Sequence, residues 1–165
     1  MMRLSAPPQW WHSLRRWGAR RFRRVPVVVQ LSMVECGAAC LAMILGYFGR
    51  KTRIAECRDA CAPGRDGVNA QIIAKAARQF GLSVRAFSLQ HTDFSTIPLP
   101  AIIHWNFNHF VVLERWSPRE TTIVDPAFGR RTVPAREFDQ RFTGIVLSCA
   151  PGAGFERRRS SGHRP

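Results

Sequence analysis

The sequence predicts an α+β domain in which N-terminal helices pack on a mostly antiparallel sheet. Three observations predict it. Apolar residues recur at helical spacing as far as Phe80, and after Val84 they alternate or run together as in strands. The strand candidates are joined by turn segments too short for crossover helices, which suits antiparallel neighbours. With 165 residues, 45% of them hydrophobic and 22% charged, the chain has the composition of a folded domain with a real core.

The elements follow in order. Residues 25–31 are apolar and extended, because Pro26 disfavours helix at the residue before it. Residues 35–48 read as a mostly apolar helix that ends at Gly46 or Gly49. Residues 54–61 form a second, shorter helix closed by Pro63-Gly64. Asn69 caps a third helix that Gly81 terminates. Ile72, Ile73, Ala76, Ala77 and Phe80 share one of its faces. Strands follow at 84–89, 101–105, 109–116, 121–124 and 130–133, then a short helix over 135–142 and a last strand over 144–149.

The 25 basic residues exceed the 11 acidic ones by a net +14, and the excess sits at the ends. Residues 1–24 hold seven arginines and no acid, interleaved with Trp10, Trp11 and Trp17. Such a segment reads as a solvated tail, a membrane-surface contact or a nucleic-acid contact. An export signal is rejected, since no small-residue cleavage site follows the arginine pairs. Residues 151–165 read as a basic linker. The folded body, residues 25–150, is only mildly basic and carries no nucleic-acid-binding motif, so no nucleic-acid partner is expected. No uninterrupted apolar run reaches the ~18–20 residues of a membrane-spanning helix.

Four residues carry candidate chemistry. Cys36 opens a helix and is followed by the small Gly37 and Ala38, an arrangement that stabilises a thiolate and leaves room for a substrate. His109 opens an apolar strand and can serve a thiol as base and then acid. Asp125, ahead of Pro126, returns beside His109 if the two strands form a hairpin, and would orient the ring. Gln30 lies six residues before Cys36, where its amide could complete an oxyanion hole with the Cys36 backbone N–H. Each residue has a bland reading too: a core cysteine, a surface histidine, an Asp-Pro turn. In the order Gln, Cys, His, Asp they match the papain-like arrangement. Five cysteines are an odd number, so a full disulfide framework fails. Cys36/Cys40 and Cys57/Cys61 are spaced for helix and not for a zinc knuckle, so no metal is expected. Cys40, Cys57, Cys61 and Cys149 read as small core residues.

The stretch VPVVVQLSMVECGAACLAMILGYFG from Val25 resembles the start of the bacteriocin-processing peptidase domain found in peptidase-containing ABC transporters. So do Arg65-Asp-Gly, the run PLPAIIHWNFNHFVVL from Pro98, DPAFG from Asp125 and FDQRFTG from Phe138. The resemblance covers roughly residues 25–150. It implies a papain-like cysteine peptidase that cleaves ribosomally made precursors after a double-glycine leader, at the cytoplasmic face of the bacterial inner membrane. Cys36 is then the nucleophile, His109 the base, Asp125 its orienter and Gln30 the oxyanion donor, with no cofactor and no metal. Trp105, Asn106 and Phe107 are expected to line a narrow cleft that excludes side chains at the last two leader positions. The implied partners are the precursor peptide and the transporter's membrane and ATPase domains. Those domains are absent from this chain, which reads as an excised or truncated piece or, as the lesser option, a free-standing peptidase. A leader-binding domain whose catalysis is latent without its transporter is the alternative.

Overall fold

The computed structural model of the chain describes residues 23–62, 68–90 and 93–159. Most of the Trp/Arg-rich start, the Pro63-Gly64 turn, the Arg65-Asp66-Gly67 motif and the last six residues lie outside the described residues.

Residues 25–31 are extended but join no strand. A single 3₁₀ turn, Met33–Glu35, leads into helix α1, Cys36–Tyr47. The sequence pattern placed the helix start one residue early, because the 3₁₀ turn and the helix merge in the apolar pattern. Helix α1 is apolar all round and accordingly buried, with Leu41, Met43, Ile44 and Leu45 fully enclosed. Burying each of these side chains contributes about 1.5–3 kcal/mol. Helix α2, Ile54–Cys61, closes at Ala62 in a left-handed conformation. Helix α3, Ala70–Gln79, starts at Asn69, whose Oδ1 accepts the Ile72 N–H at 2.9 Å.

Strands β1 (Leu82–Ser88), β2 (Ala101–Trp105), β3 (His109–Trp116), β4 (Glu120–Asp125), β5 (Gly129–Pro134) and β6 (Phe142–Pro151) form one sheet, with helix α4, Ala135–Arg141, before β6. The strand order is β1-β6-β2-β3-β4-β5 and every pairing is antiparallel. Side chains alternate between its two faces. Ile102, Phe110, Val112, Val124, Leu147 and Cys149 meet the α1–α3 layer. Ile103, Trp105, Val111, Leu113, Ile123 and Val146 meet a second cluster built on Phe94 and Phe138.

The expectation of a linker after residue 150 is corrected over 151–159. Pro151 is paired in β6, and Phe155 packs on the helix-side core. Lys51 N–H donates to the Arg158 carbonyl, and Arg158 Nη2 meets Glu56 Oε2 at 2.6 Å. Gly81, at φ +89°, lets this tail approach: a Cβ there would meet the Gly154 carbonyl oxygen at 2.7 Å. A Gly/Pro-rich composition marks turns as readily as linkers, and here apolar Phe155 has core to reach.

Candidate active site

Cys36 is the first residue of α1, where the helix dipole favours negative charge and the leading backbone N–H groups lack intrahelical partners. Gly37 lets α1 lie close to α3: a Cβ there would meet the tip of the Ile73 side chain, Cδ1, at 2.9 Å, and that tip would have to shift. The small neighbour therefore serves the helix contact as well as access to the sulfur.

His109 begins β3 and Asp125 ends β4, and the antiparallel pairing of these strands sets the two side by side. His109 Nε2 and Asp125 Oδ1 are 2.8 Å apart. The Asp125 carboxylate is 2% exposed and also accepts the Ala127 N–H at 2.8 Å, closing an Asx turn ahead of β5. Burial pulls the His109 ring down, but the Asp125 hydrogen bond, then the Cys36 side chain and both charges, outweigh it and raise the imidazole to about 9. Burial pushes the Asp125 carboxyl up, and the bonds from His109 and Ala127 overcome it, leaving the group below its ordinary value. Asp125 occupies Nε2, so Nδ1 is the ring atom that faces the thiol. The structure thus gathers Cys36, His109 and Asp125 from a helix start and two strand ends.

Gln30 lies in the extended segment, its N–H donating to the Pro126 carbonyl at 2.8 Å. Its side-chain Oε1 is buried without a hydrogen-bond partner among the described residues. The turn that carries Asp125 therefore also holds the backbone of Gln30.

The three residues expected to line a cleft divide. Trp105 is 1% exposed and packs on Phe138, on the sheet face away from α1, so its placement in a cleft wall is corrected. Strand alternation explains this: Trp105 has the parity of Ile103, whereas Ile102 faces the helices. Asn106 and Phe107 form the β2–β3 turn just before His109, both in left-handed conformations at φ 51° and 62°. Phe107 is 80% exposed, and a bulky residue in that conformation is an outlier that often marks a site. Phe128, in the turn after Asp125, is 83% exposed and was missed by sequence reasoning.

Two further buried carboxylates, with their arginine partners, were missed. Glu114 sits at a bulge between Leu113 and Arg115, which re-aims its side chain. It accepts the Val25 N–H at 2.8 Å and pairs with Arg130 at 2.9 Å, while Arg130 donates to the Val25 carbonyl. The signal was an acid inside the apolar run of β3. Glu35, 3% exposed and next to Cys36 in the chain, meets Arg58 Nη1 at 2.7 Å. The other cysteines are core residues: burial raises Cys57 and Cys149 to about 12 and Cys61 to about 11, and lifts Cys40 well above the usual thiol range. Among the described residues no group of three or more His, Cys, Asp or Glu side chains is placed to hold a metal ion. No helix among them is long and apolar enough to cross a membrane.

This arrangement has close parallels. The chain is 41% identical over 133 residues to the probable microcin-H47 secretion/processing ATP-binding protein MchF of Escherichia coli, covering 81% of this chain and 19% of that protein. It is 38% identical over 134 residues to the colicin V secretion/processing ATP-binding protein CvaB of the same organism, again covering 81% and 19%. It thus spans about a fifth of these curated relatives. Among solved structures, a double glycine motif protease from an AMS/PCAT transporter, in complex with the leader peptide, matches with a TM-score of 0.75 and 42% identity, covering 81% of this chain and 96% of that one. The peptidase domain of Streptococcus ComA shares the fold, with a TM-score of 0.72 at 24% identity over 78% of this chain and 99% of that one. The model of the peptidase C39 family matches residues 24–154, and the chain belongs to that family.

Proposed function

We propose that this domain is a cysteine endopeptidase that cleaves peptide precursors after a double-glycine leader motif. The His109–Asp125 pair, held at 2.8 Å against the helix start that bears Cys36, carries the reading. His109, its ring raised to about 9 by Asp125 and Cys36, takes the Cys36 proton as the sulfur engages the substrate. The thiolate attacks the carbonyl carbon of the second glycine. The oxyanion that forms takes hydrogen bonds from the Gln30 amide and the Cys36 backbone N–H. His109 gives its Nδ1 proton to the departing amine as the C–N bond breaks, leaving a thioester on Cys36. Water then attacks the thioester, His109 takes the water proton, and the leader carboxylate leaves as the thiolate returns.

Asn106 and Phe107 border the His109 side of the cleft and restrict what fits beside the scissile bond. The precursor arrives at the cytoplasmic face of the bacterial inner membrane, where membrane and ATPase domains like those of the longer relatives would export the core peptide. The mildly basic body favours acidic leaders. Residues 1–24 contact the membrane surface in this reading.

The test mixes the protein with a synthetic double-glycine leader-core peptide and follows it by mass spectrometry, with Cys36→Ala alongside. One cut after Gly-Gly, absent in the variant, is expected. Equal cleavage by both proteins would overturn the mechanism. Saturable binding without any cut would favour a domain that is latent without its transporter.

A further inference from the structure

The segment that carries Gln30 has no strand partner, and its flanking side chains do not anchor it: Val29 and Leu31 are exposed. Backbone hydrogen bonds do so instead. Gln30 N–H reaches the Pro126 carbonyl, and Leu31 N–H donates to Glu35 Oε2 at 2.8 Å. Glu35 is itself buried and precedes Cys36 in the chain. Its second carboxylate oxygen accepts from Arg58 Nη1 of α2. The Arg58 bond first, and the Leu31 N–H after it, hold this carboxyl below the usual range against the pull of burial. The Glu35 N–H closes the intervening turn on the Ser32 carbonyl at 3.2 Å.

The mechanism above gives Glu35 no chemical step, yet a buried carboxylate is costly to keep unless it is paired and hydrogen-bonded. Its position explains its use. The Glu35 backbone adjoins the Cys36 N–H, one oxyanion donor. Its side chain grips the amide one residue beyond Gln30, the other donor. A single residue therefore spans the two halves of the hole, and Arg58 braces it from outside.

We propose that Glu35 is a positioning residue of the oxyanion hole, setting the Gln30 amide against the Cys36 N–H, with Arg58 holding its carboxylate in place. This role rests on the peptidase reading. It acts on the transition state and not on the thiol, which separates it from the His109–Asp125 pair.

The experiment measures kcat and KM for the double-glycine peptide together with the rate of Cys36 alkylation by iodoacetamide. Alkylation needs the thiolate but forms no oxyanion. Glu35→Ala is expected to lower kcat about 10- to 100-fold, the scale of a misplaced catalytic group, with KM and alkylation within about twofold of wild type. Glu35→Gln, which keeps an acceptor for Leu31 N–H, should recover part of the loss. In a Gln30→Ala background the Glu35→Ala loss should shrink to about twofold or less, because the donor it positions is gone. Additive losses, an unchanged kcat, or alkylation that falls in step with cleavage would each overturn the proposal. If Glu35→Ala does not fold, Arg58→Ala removes the brace from a partly exposed position and carries the same cycle. Where the wild type cuts no double-glycine peptide, the peptidase reading falls and this role with it. Where it cuts and the cycle is additive, only this role falls.

Discussion

Asp125→Asn isolates the charge that keeps His109 protonated. Asparagine preserves the shape and an acceptor for both His109 Nε2–H and Ala127 N–H, so the turn into β5 should persist. The rise of the ring from 6.5 to about 9 corresponds to about 3 kcal/mol in favour of the imidazolium. Asp125 contributes through both hydrogen bond and charge, and leads the groups that raise the ring. Removing its charge should cost about half of that preference or more, a fall of one pKa unit or more. The assay is the pH profile of kcat/KM for peptide cleavage, with the His109 ring followed by NMR. Wild type should lose activity on an alkaline limb near pH 9, and the variant on a limb about one unit lower or more. Stability has a matching signature. A raised histidine stabilises the fold fully below 6.5 and loses that effect as pH rises through about 9, whereas the depressed Asp125 stabilises above 3.8 and loses it on acidification. The destabilisation by Asp125→Asn should therefore be greatest between about pH 4 and 6.5 and fade toward pH 9. An alkaline limb that stays in place, with a stability difference flat across that range, would refute the coupling of Asp125 to His109.

Gln30→Ala should lower kcat about 10²- to 10³-fold, as removal of one oxyanion donor does, while iodoacetamide still alkylates Cys36 at the wild-type rate. Arg130→Ala takes the paired guanidinium from the buried Glu114 carboxylate, so urea denaturation should show a loss of about 3 kcal/mol. Trp105→Ala should cost about 3–5 kcal/mol in the same assay by opening a cavity beside Phe138. Its Cys36 alkylation rate should be unchanged, because Trp105 faces away from α1.

How much of this was legible follows from what each feature depends on. The order of helices and strands was readable because α3 and the strands show clean periodicities, and Asn69 caps as its position suggested. His109 and Asp125 could be paired from sequence because one antiparallel register joins the start of one strand to the end of the next. Trp105 could not be placed by its neighbours in the motif, since adjacent strand residues point to opposite faces. Nor could the roles of Glu35 and Glu114 be read. Their partners Arg58, Arg130 and Val25 lie 23, 16 and 89 positions away, and only the folded chain brings them together. The tail at 151–159 reads as turn-rich by composition, and the contact that fixes it, Phe155 on the helix-side core, is equally non-local.

These non-local contacts answer a problem posed by the site itself. Cys36 belongs to the helix layer, His109 and Asp125 to the sheet, and Gln30 to a segment that belongs to neither. Helix and sheet are registered by the apolar core between α1 and β3. Residues 25–31 have only a small share of that core, through Val25, Val28 and Pro26 against Gly46, and expose Val27, Val29 and Leu31. They are held by polar grips: Glu114 and Arg130 at Val25, the Pro126 carbonyl at Gln30 and Glu35 at Leu31. Directional bonds fix an extended chain where apolar packing, which is non-directional, would let it slide. In the proposed mechanism the same construction sets the Gln30 amide where an oxyanion at Cys36 would form.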